Sequence, residues 1–453
     1  MSKTKLLSLI IGVIISSCSQ DDLFNCVDSE DVIMSSNEKA INRYIEQRHP
    51  VKSRSNTRLI PIIQHGDTVA FLANYDEGWE LFSNNTSLPM VLMKSEKGSF
   101  YPNIGIFSEE SSSFMGFYNG IIDGLASYSE EEDVNPVWAL YNEDGDRDPY
   151  QEPQWVGLAA SVERESYTPK GGRLKTQWNQ MGYYNMYTPF CKDMVNHSYL
   201  GCGAVACGQM IYHSNKYFGV PEATVSKATY DEKDNLYVFS DASTTAWSLM
   251  DSGEDESFCN DPVKMIPTAV FLGNVALKIY TNFGAEYGQS SESYPSAYIP
   301  ILRQILNVRL TEVSYNWFDI AQTLKSGYPV FVDGTNIIER YGHAYLIDWA
   351  ELYRETIYDV YDIRRSDNNP NLDDKEDHGN EDESTAVVAR SLDYYREAFG
   401  DINYTYNSML TERWLMMNWG GTKSLNSVKI NADDKIIKIS SFQYDSNVIY
   451  KVN

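Results

Sequence analysis

Three short motifs scattered through the second half of the chain constrain its fold more than any other feature. They are Leu200-Gly201-Cys202-Gly203-Ala204-Val205-Ala206-Cys207-Gly208-Gln209, Tyr341-Gly342-His343-Ala344-Tyr345-Leu346-Ile347-Asp348 and Met417-Asn418-Trp419-Gly420-Gly421. A thiol attacks carbonyl carbon as the thiolate, which needs a positive neighbour and gains from a helix N-terminus. If Cys202, His343 and Asn418 serve one such centre, the fold must bring a helix start, a strand and a later segment to a single point.

Local patterns fit that demand. After Cys202 the chain is small or apolar and free of proline up to His213, which predicts a buried helix beginning at the cysteine. Its unpaired amides and positive dipole end favour a thiolate there. The run Ala344 to Ile347 predicts a core strand that would hold the His343 ring on a rigid element. Asn418 would accept the second ring N–H without adding charge, and Trp419 would shield that bond from water. Upstream, Thr176-Gln177-Trp178-Asn179-Gln180 offers a side-chain amide for an oxyanion. Gln180, paired with the Cys202 backbone N–H, is preferred, and Gln177 is the alternative.

Other candidates read as structural. Cys207 falls on a different face of the same helix and reads as a packed thiol. His213 stands about 16 Å along the helix axis from Cys202. His197 is the strongest rival base, but Val195-Asn196-His197-Ser198 suggests a loop. His378 sits in an acidic stretch and reads as solvated. Asp348 would stand about 16 Å from His343 along an extended strand, too far to orient it.

Taken in order, these motifs resemble the streptopain-type cysteine proteases, a papain-like family that includes the interpains. The resemblance rests on Trp178-Asn179-Gln180 with Tyr184-Asn185, on Gly201-Cys202 through Gln209-Met210 with Tyr212-His213, on Gly342-His343-Ala344 with Ile347-Asp348, and on Asn418-Trp419-Gly420-Gly421. It implies an α+β, papain-like catalytic domain that hydrolyses peptide bonds without a cofactor or metal. Cys202 would be the nucleophile, His343 the base and acid, Asn418 the orienting residue and Gln180 the oxyanion donor, with Gly342 and Trp419 in the wall. Three departures stand out: Gly203 directly after the nucleophile, a Trp419-Gly420 pair that is not doubled, and a long acidic stretch at about 364–388.

The stretch from Asp67 to Phe100 alternates in a strand-like way, with turns at Asp76-Glu77-Gly78 and Ser83-Asn84-Asn85. It resembles the family's pro-domain. A β-rich pro-domain over 18–165 would therefore precede a peptidase domain over 166–453 and act as its own inhibitor, with cleavage near residues 165–173. The bland alternative is a permanent accessory β domain.

At the N-terminus, Lys3 and Lys5 precede an apolar run from Leu6 to Ile15, followed by Ser16-Ser17-Cys18 and then polar residues. This resembles a lipoprotein signal, residues 1–17, with lipid on Cys18, and the run is too short for a lasting transmembrane helix. An ordinary secretory signal is the alternative. The expected location is thus outside the cytoplasm: an outer-membrane or cell-surface lipoprotein held by its lipid anchor, or a secreted protein.

A net charge of −26 leaves no basic surface for phosphates and argues against nucleic acid as a partner. Cys26, Cys191, Cys207 and Cys259 remain as free thiols or disulfide partners, too few for a disulfide scaffold in 453 residues. Two readings rival the protease. One is a catalytically inactive surface lipoprotein that uses the same fold to bind protein, and the other is a thiol-dependent acyl transferase with the same residues.

Overall fold

The computed structural model describes residues 34–49, 57–102, 112–129, 133–142, 155–219, 227–231, 236–240, 247, 250, 262–286, 289, 291–336, 341–362, 391–399, 402–419, 427–439 and 448–452. The signal segment 1–17, Cys18, Cys26, Cys259, Gly420 and the acidic stretch at 364–388 lie outside them.

The strands, in chain order, are β1 (Leu59–Gln64), β2 (Asp67–Asn74), β3 (Trp79–Ser83), β4 (Val91–Ser95), β5 (Trp155–Tyr167), β6 (Lys227–Asp231), β7 (Leu236–Ser240), β8 (Leu310–Ser314), β9 (Val330–Asn336), β10 (Tyr341–Asp362), β11 (Ile402–Asn418), β12 (Lys429–Asn431) and β13 (Val448–Val452). Helices Ser36–Arg48, Ser112–Ser127 and Pro136–Asn142 belong to the first part of the chain, and Cys202–Phe218, Pro262–Lys278, Pro295–Leu306 and Trp317–Lys325 are the main helices of the second. The expected α+β class holds, since antiparallel sheet and packed helices make up the described chain.

Eleven of these strands form one antiparallel sheet in the order β1-β2-β3-β4-β12-β11-β10-β9-β13-β8, with β5 pairing with β10 beside this path. β6 and β7 form a separate hairpin. The strands expected in the first part are present as β2 and β3, with their connection closed by Tyr75 N–H donating to the Gly78 carbonyl. Among the described residues of that segment, three helices accompany the strands β1–β4 and the first part of β5.

The short strand β12 joins the early strands to the later ones. It meets β4 through Lys429 opposite Lys94 and Ile430 opposite Met93, and meets β11 through Trp414, Leu415 and Met416. Two like charges placed directly across a sheet repel. Here each has its own compensation. Lys94 Nζ lies 3.8 Å from the Trp414 ring centre, while Lys429 sits over Trp349 and donates to Glu96 at 2.7 Å.

One face of the sheet builds a core shared by both parts of the chain. Leu72, Leu81, Phe114, Phe117 and Ile121 pack in the same cluster as Trp317, Val330, Ile347, Leu415 and Trp419. The opposite face of β9 and β10 carries Phe331, Ala344 and Leu346 into a second core with Ala204, Val205 and Met210 of the Cys202 helix and with Phe271 and Leu272. The cysteine helix is therefore clamped against the histidine strand by apolar burial, the main favourable contribution to such contacts.

The boundary expected between 165 and 166 falls inside β5, where Glu165 pairs with Leu352 and Ser166 with Glu351. Just beyond, Arg173 forms an ion pair with the fully buried Asp348 at 2.9 Å, and the same carboxylate accepts the Leu174 N–H at 3.0 Å. Asp348 thus fastens the segment entering the second part of the chain, a structural role in keeping with its exclusion as a partner of His343.

Candidate active site

The helix that carries the cysteine begins where the sequence places it, spanning Cys202–Phe218. Gly201 precedes it at φ 84°, a conformation costly for any residue with a Cβ. A side chain there would also press on the Ser291 carbonyl at 3.0 Å. Gly203, the first departure from the family pattern, has a local reason: a Cβ at this position would lie 2.3 Å from Ser293 Oγ. A residue with a Cβ there would require the Ser293 hydroxyl to turn away.

Cys202 Sγ accepts a hydrogen bond from the Ala344 N–H at 3.2 Å, which ties the sulfur to the residue next to His343. The amides of Cys202 and Gly203 also stabilise a thiolate, as expected of a helix start. Burial outweighs them. Together with the carboxylate of Asp333, it pushes the thiol up to about 11. The helix-start amides thus favour the thiolate as expected, while burial makes the thiol the stable form in this conformation.

His343 lies in β10, opposite Gly334, and is buried at 7% exposure. Burial drives its pKa down to about 4, although a ring N–H donates to the Trp419 carbonyl. Nε2 is buried and has no hydrogen-bond partner among the described residues. At neutral pH both the thiol and the imidazole are uncharged in this arrangement. Gly342, beside the histidine, pairs with Thr335.

Asn418 ends β11 opposite Leu346, 1% exposed. Its Oδ1 accepts from Gln209 Nε2 at 3.1 Å and its Nδ2 donates to the Thr176 carbonyl at 2.7 Å. Gln209 also donates to the Thr176 carbonyl at 3.1 Å. The ring N–H that was expected to reach Asn418 goes instead to the neighbouring carbonyl of Trp419. Asn418 binds together the cysteine helix, the Thr176 segment and the end of β11. Sequence reasoning assigned no role to Gln209. Its signal was a lone amide two helical turns from Cys202 in a helix otherwise apolar on that face.

A small cleft is lined by Gln180, Cys202, Val205, Ala206, Gln209, Ala344, Tyr345, Asn418 and Trp419; His343 is not among its lining residues, and its ring stacks instead with Tyr345 and Trp419. Gln180 reaches it and Gln177 does not appear among the lining residues. Trp178 anchors this stretch, fully buried against Tyr212 and Phe271, and the Gln180 carbonyl accepts the Leu200 N–H at 3.1 Å. Trp419 stacks nearly parallel to His343, with ring centres 6.2 Å apart at 15°, and lies 4.9 Å from Tyr345. It also meets Phe114 and Phe117 at 6.1 and 5.2 Å, both from the early helix Ser112–Ser127.

The rejected candidates stay away from the cleft. His197 Nδ1 lies 2.6 Å from the Thr188 carbonyl and its ring packs on Phe190, within one loop. His213 is buried beside Tyr217. Cys191, Cys202 and Cys207 are free thiols, and burial raises Cys207 well above its ordinary value.

Residues 178–361, less than half of the chain, match the peptidase C10 family, the streptopain family. That stretch holds Cys202 and His343. Asn418 lies beyond the matched residues. Among solved structures, a cysteine-to-alanine mutant of a prointerpain A fragment from Prevotella intermedia is similar over 88% of this chain and 98% of its own, at 14% identity and a TM-score of 0.47. Active wild-type interpain A cysteine protease from the same organism is similar over 45% of this chain and 80% of its own, at 19% identity and a TM-score of 0.33. No curated protein matches the chain.

Two buried neutral histidines make folding sensitive to acid. His213 and His343 both have pKa values lowered by burial to about 4 from 6.5. As pH falls from 6.5 the unfolded chain binds these protons first, so each ring removes up to about 1.4 kcal/mol of stability per pH unit until about pH 4. Thermal unfolding scanned across this window should show a falling midpoint, and His213→Gln should remove its share of the slope. An unchanged slope in the variant contradicts the assignment.

Proposed function

We propose that the protein is an exported cysteine endopeptidase made as a zymogen, with Cys202, His343, Asn418 and Gln180 as its working groups. The observation that carries this reading is the Ala344 N–H on Cys202 Sγ, which sets the first residue of a helix against the histidine strand inside a cleft that Gln180 and Asn418 share.

In the active state the thiolate of Cys202 attacks a peptide carbonyl. The oxyanion is held by the Gln180 amide and the Cys202 N–H, and His343 gives its proton to the departing amine. The same histidine then takes a proton from water, which hydrolyses the thioester and frees the cysteine. Asn418, fastened by Gln209 and Thr176, acts as a positioning residue that keeps the end of β11, and with it the Trp419 carbonyl, against the imidazole. The substrates are proteins or peptides.

The first part of the chain supplies the inhibitor. Phe114 and Phe117 hold Trp419 over His343, and in that arrangement burial keeps both reacting groups uncharged. Removing the early helix would admit water, raise the imidazole pKa and lower that of the thiol. Release requires cleavage between residues 165 and 173, a stretch whose start is exposed on β5 and whose end is fastened by Arg173.

The second reading, an inactive lipoprotein that binds protein through this fold, draws on the same uncharged pair, since an inert site has no need of a thiolate. Intact-mass analysis of the full chain in reducing buffer, with and without a thiol-reactive epoxide and beside Cys202→Ala, separates the two. The protease reading expects cleavage at 165–173 that the epoxide blocks and the variant lacks, together with one inhibitor adduct on Cys202. Neither processing nor adduct, even after trypsin removes the early segment, leaves the binding reading.

Export and anchoring rest on the N-terminal sequence, where the lipid would join Cys18 and face the protein outward as a cell-surface or outer-membrane lipoprotein. Among the described residues no helix is long and apolar enough to cross a membrane. Labelled palmitate fed to expressing bacteria should enter the chain and be absent from Cys18→Ala. Equal labelling of the two, or none in either, refutes the anchor.

A further inference from the structure

We propose that Asp333 is a specificity residue whose carboxylate flanks the nucleophile on the face of β9 that meets the cysteine helix and selects a lysine or arginine side chain close to the scissile bond. The inference rests on the reading of Cys202 as a peptidase nucleophile and adds the class of substrate it takes.

The placement follows from strand register. Asp333 is the direct partner of Ala344 across β9 and β10, and directly opposed residues of an antiparallel pair point to the same face with Cβ atoms about 5 Å apart. Ala344 lines the cleft, and its N–H is the donor to Cys202 Sγ. Phe331 and Leu346, two residues along each strand and so on the same face, pack with the cysteine helix. The Asp333 side chain therefore shares the face that meets Cys202. Consecutive residues of an extended peptide are about 3.3 Å apart, so a peptide whose carbonyl sits on the sulfur brings a residue one or two positions away within reach of this carboxylate.

The surroundings give Asp333 an unmet need. It is half-buried, and among the described residues no lysine or arginine pairs with it. Burial raises its pKa to about 6, the Tyr298 hydroxyl lowers it, and the like charge of Glu312 on β8 raises it. At neutral pH it is an ionised, partly desolvated carboxylate without a cation among the described residues, a costly state in a core and a useful one in a specificity pocket. A lysine or arginine buries its apolar stem and presents its charge at the tip, the shape that a carboxylate set on this strand would select. Asp333 also opposes ionisation of Cys202 by its charge. A basic side chain bound there would relieve this opposition at the moment the thiolate is needed, so the same contact favours binding and attack.

The test profiles the full chain, after incubation in reducing buffer, on peptide libraries varied at the four residues before and the two after the scissile bond. Wild type should prefer lysine or arginine over leucine and glutamate at one of these positions by at least about tenfold in kcat/KM. Asp333→Asn, nearly the same in shape, should bring that ratio close to one, and Asp333→Glu should keep most of it. A wild type that cuts peptides and takes the epoxide on Cys202 but shows no basic preference overturns the Asp333 assignment alone. So does a preference unchanged in Asp333→Asn. If no peptide is cut and Cys202 takes no epoxide, the peptidase reading fails and this inference fails with it.

Discussion

The ladder between β10 and β11 is the constraint on which the remaining arrangement depends. It runs from Leu346 opposite Asn418 to Asp362 opposite Ile402, so two motifs far apart in sequence finish side by side at one end of this strand pair. Asn418 closes β11, and the next residue, Trp419, leaves the strand with its carbonyl on the His343 ring and its indole stacked above it. The cysteine helix is then set against the opposite face of β10 by the core of Ala204, Val205, Ala344 and Leu346. Because side chains alternate along a strand, a slip of one residue in this register would turn Ala344 away from Cys202 and His343 toward it. Register therefore fixes which backbone amide meets the sulfur.

Electrostatics and packing pull in opposite directions at the site. The helix start and the Ala344 amide favour a thiolate, while burial favours the thiol, and in the intact chain burial wins for both cysteine and histidine. The packing that produces this outcome is shared between the two parts of the chain. Phe114 and Phe117 from the early helix, Trp419 from the end of β11 and Tyr345 beside the histidine form one aromatic stack within the largest core. In the proposed zymogen, stability and inactivity thus come from the same contacts. Loss of the early helix would at once cost apolar burial and return water to the His343 ring, which would then be free to turn from Tyr345 and Trp419 toward the sulfur.

Much of the site was legible because its determinants are local. A glycine-cysteine step before an apolar, proline-free run sets the helix start, a histidine before a β-rich run sets the strand, and the Asp67–Phe82 alternation gives β2 and β3. What could not be read depends on partners distant in sequence. The split at 165 was placed by the turn residues Thr168 to Gly172, yet β5 runs through it as a ribbon paired with β10, and its charged Glu163, Arg164 and Glu165 carry no apolar alternation to announce a strand. Gln209 and Asn418 are ordinary amides until the sheet brings Thr176 between them. Asp333 sits in Val-Asp-Gly, which reads as a turn, and only its pairing with Ala344 sets it beside the thiol. The lysine pair of β4 and β12 would have argued against that pairing until Trp414 and Glu96 are seen to compensate it.

The most direct test of this account is the ionisation of Cys202 in the intact chain, read as the rate of iodoacetamide alkylation at that residue against pH, by peptide mass, for wild type and Phe117→Ala. The account predicts that Cys202 of the intact wild type stays slow through neutral pH and reacts only as the pH approaches 11, whereas loosening Trp419 in the variant moves the profile to lower pH. A wild-type cysteine already fully reactive at pH 6, or a profile identical in the two proteins, would contradict it.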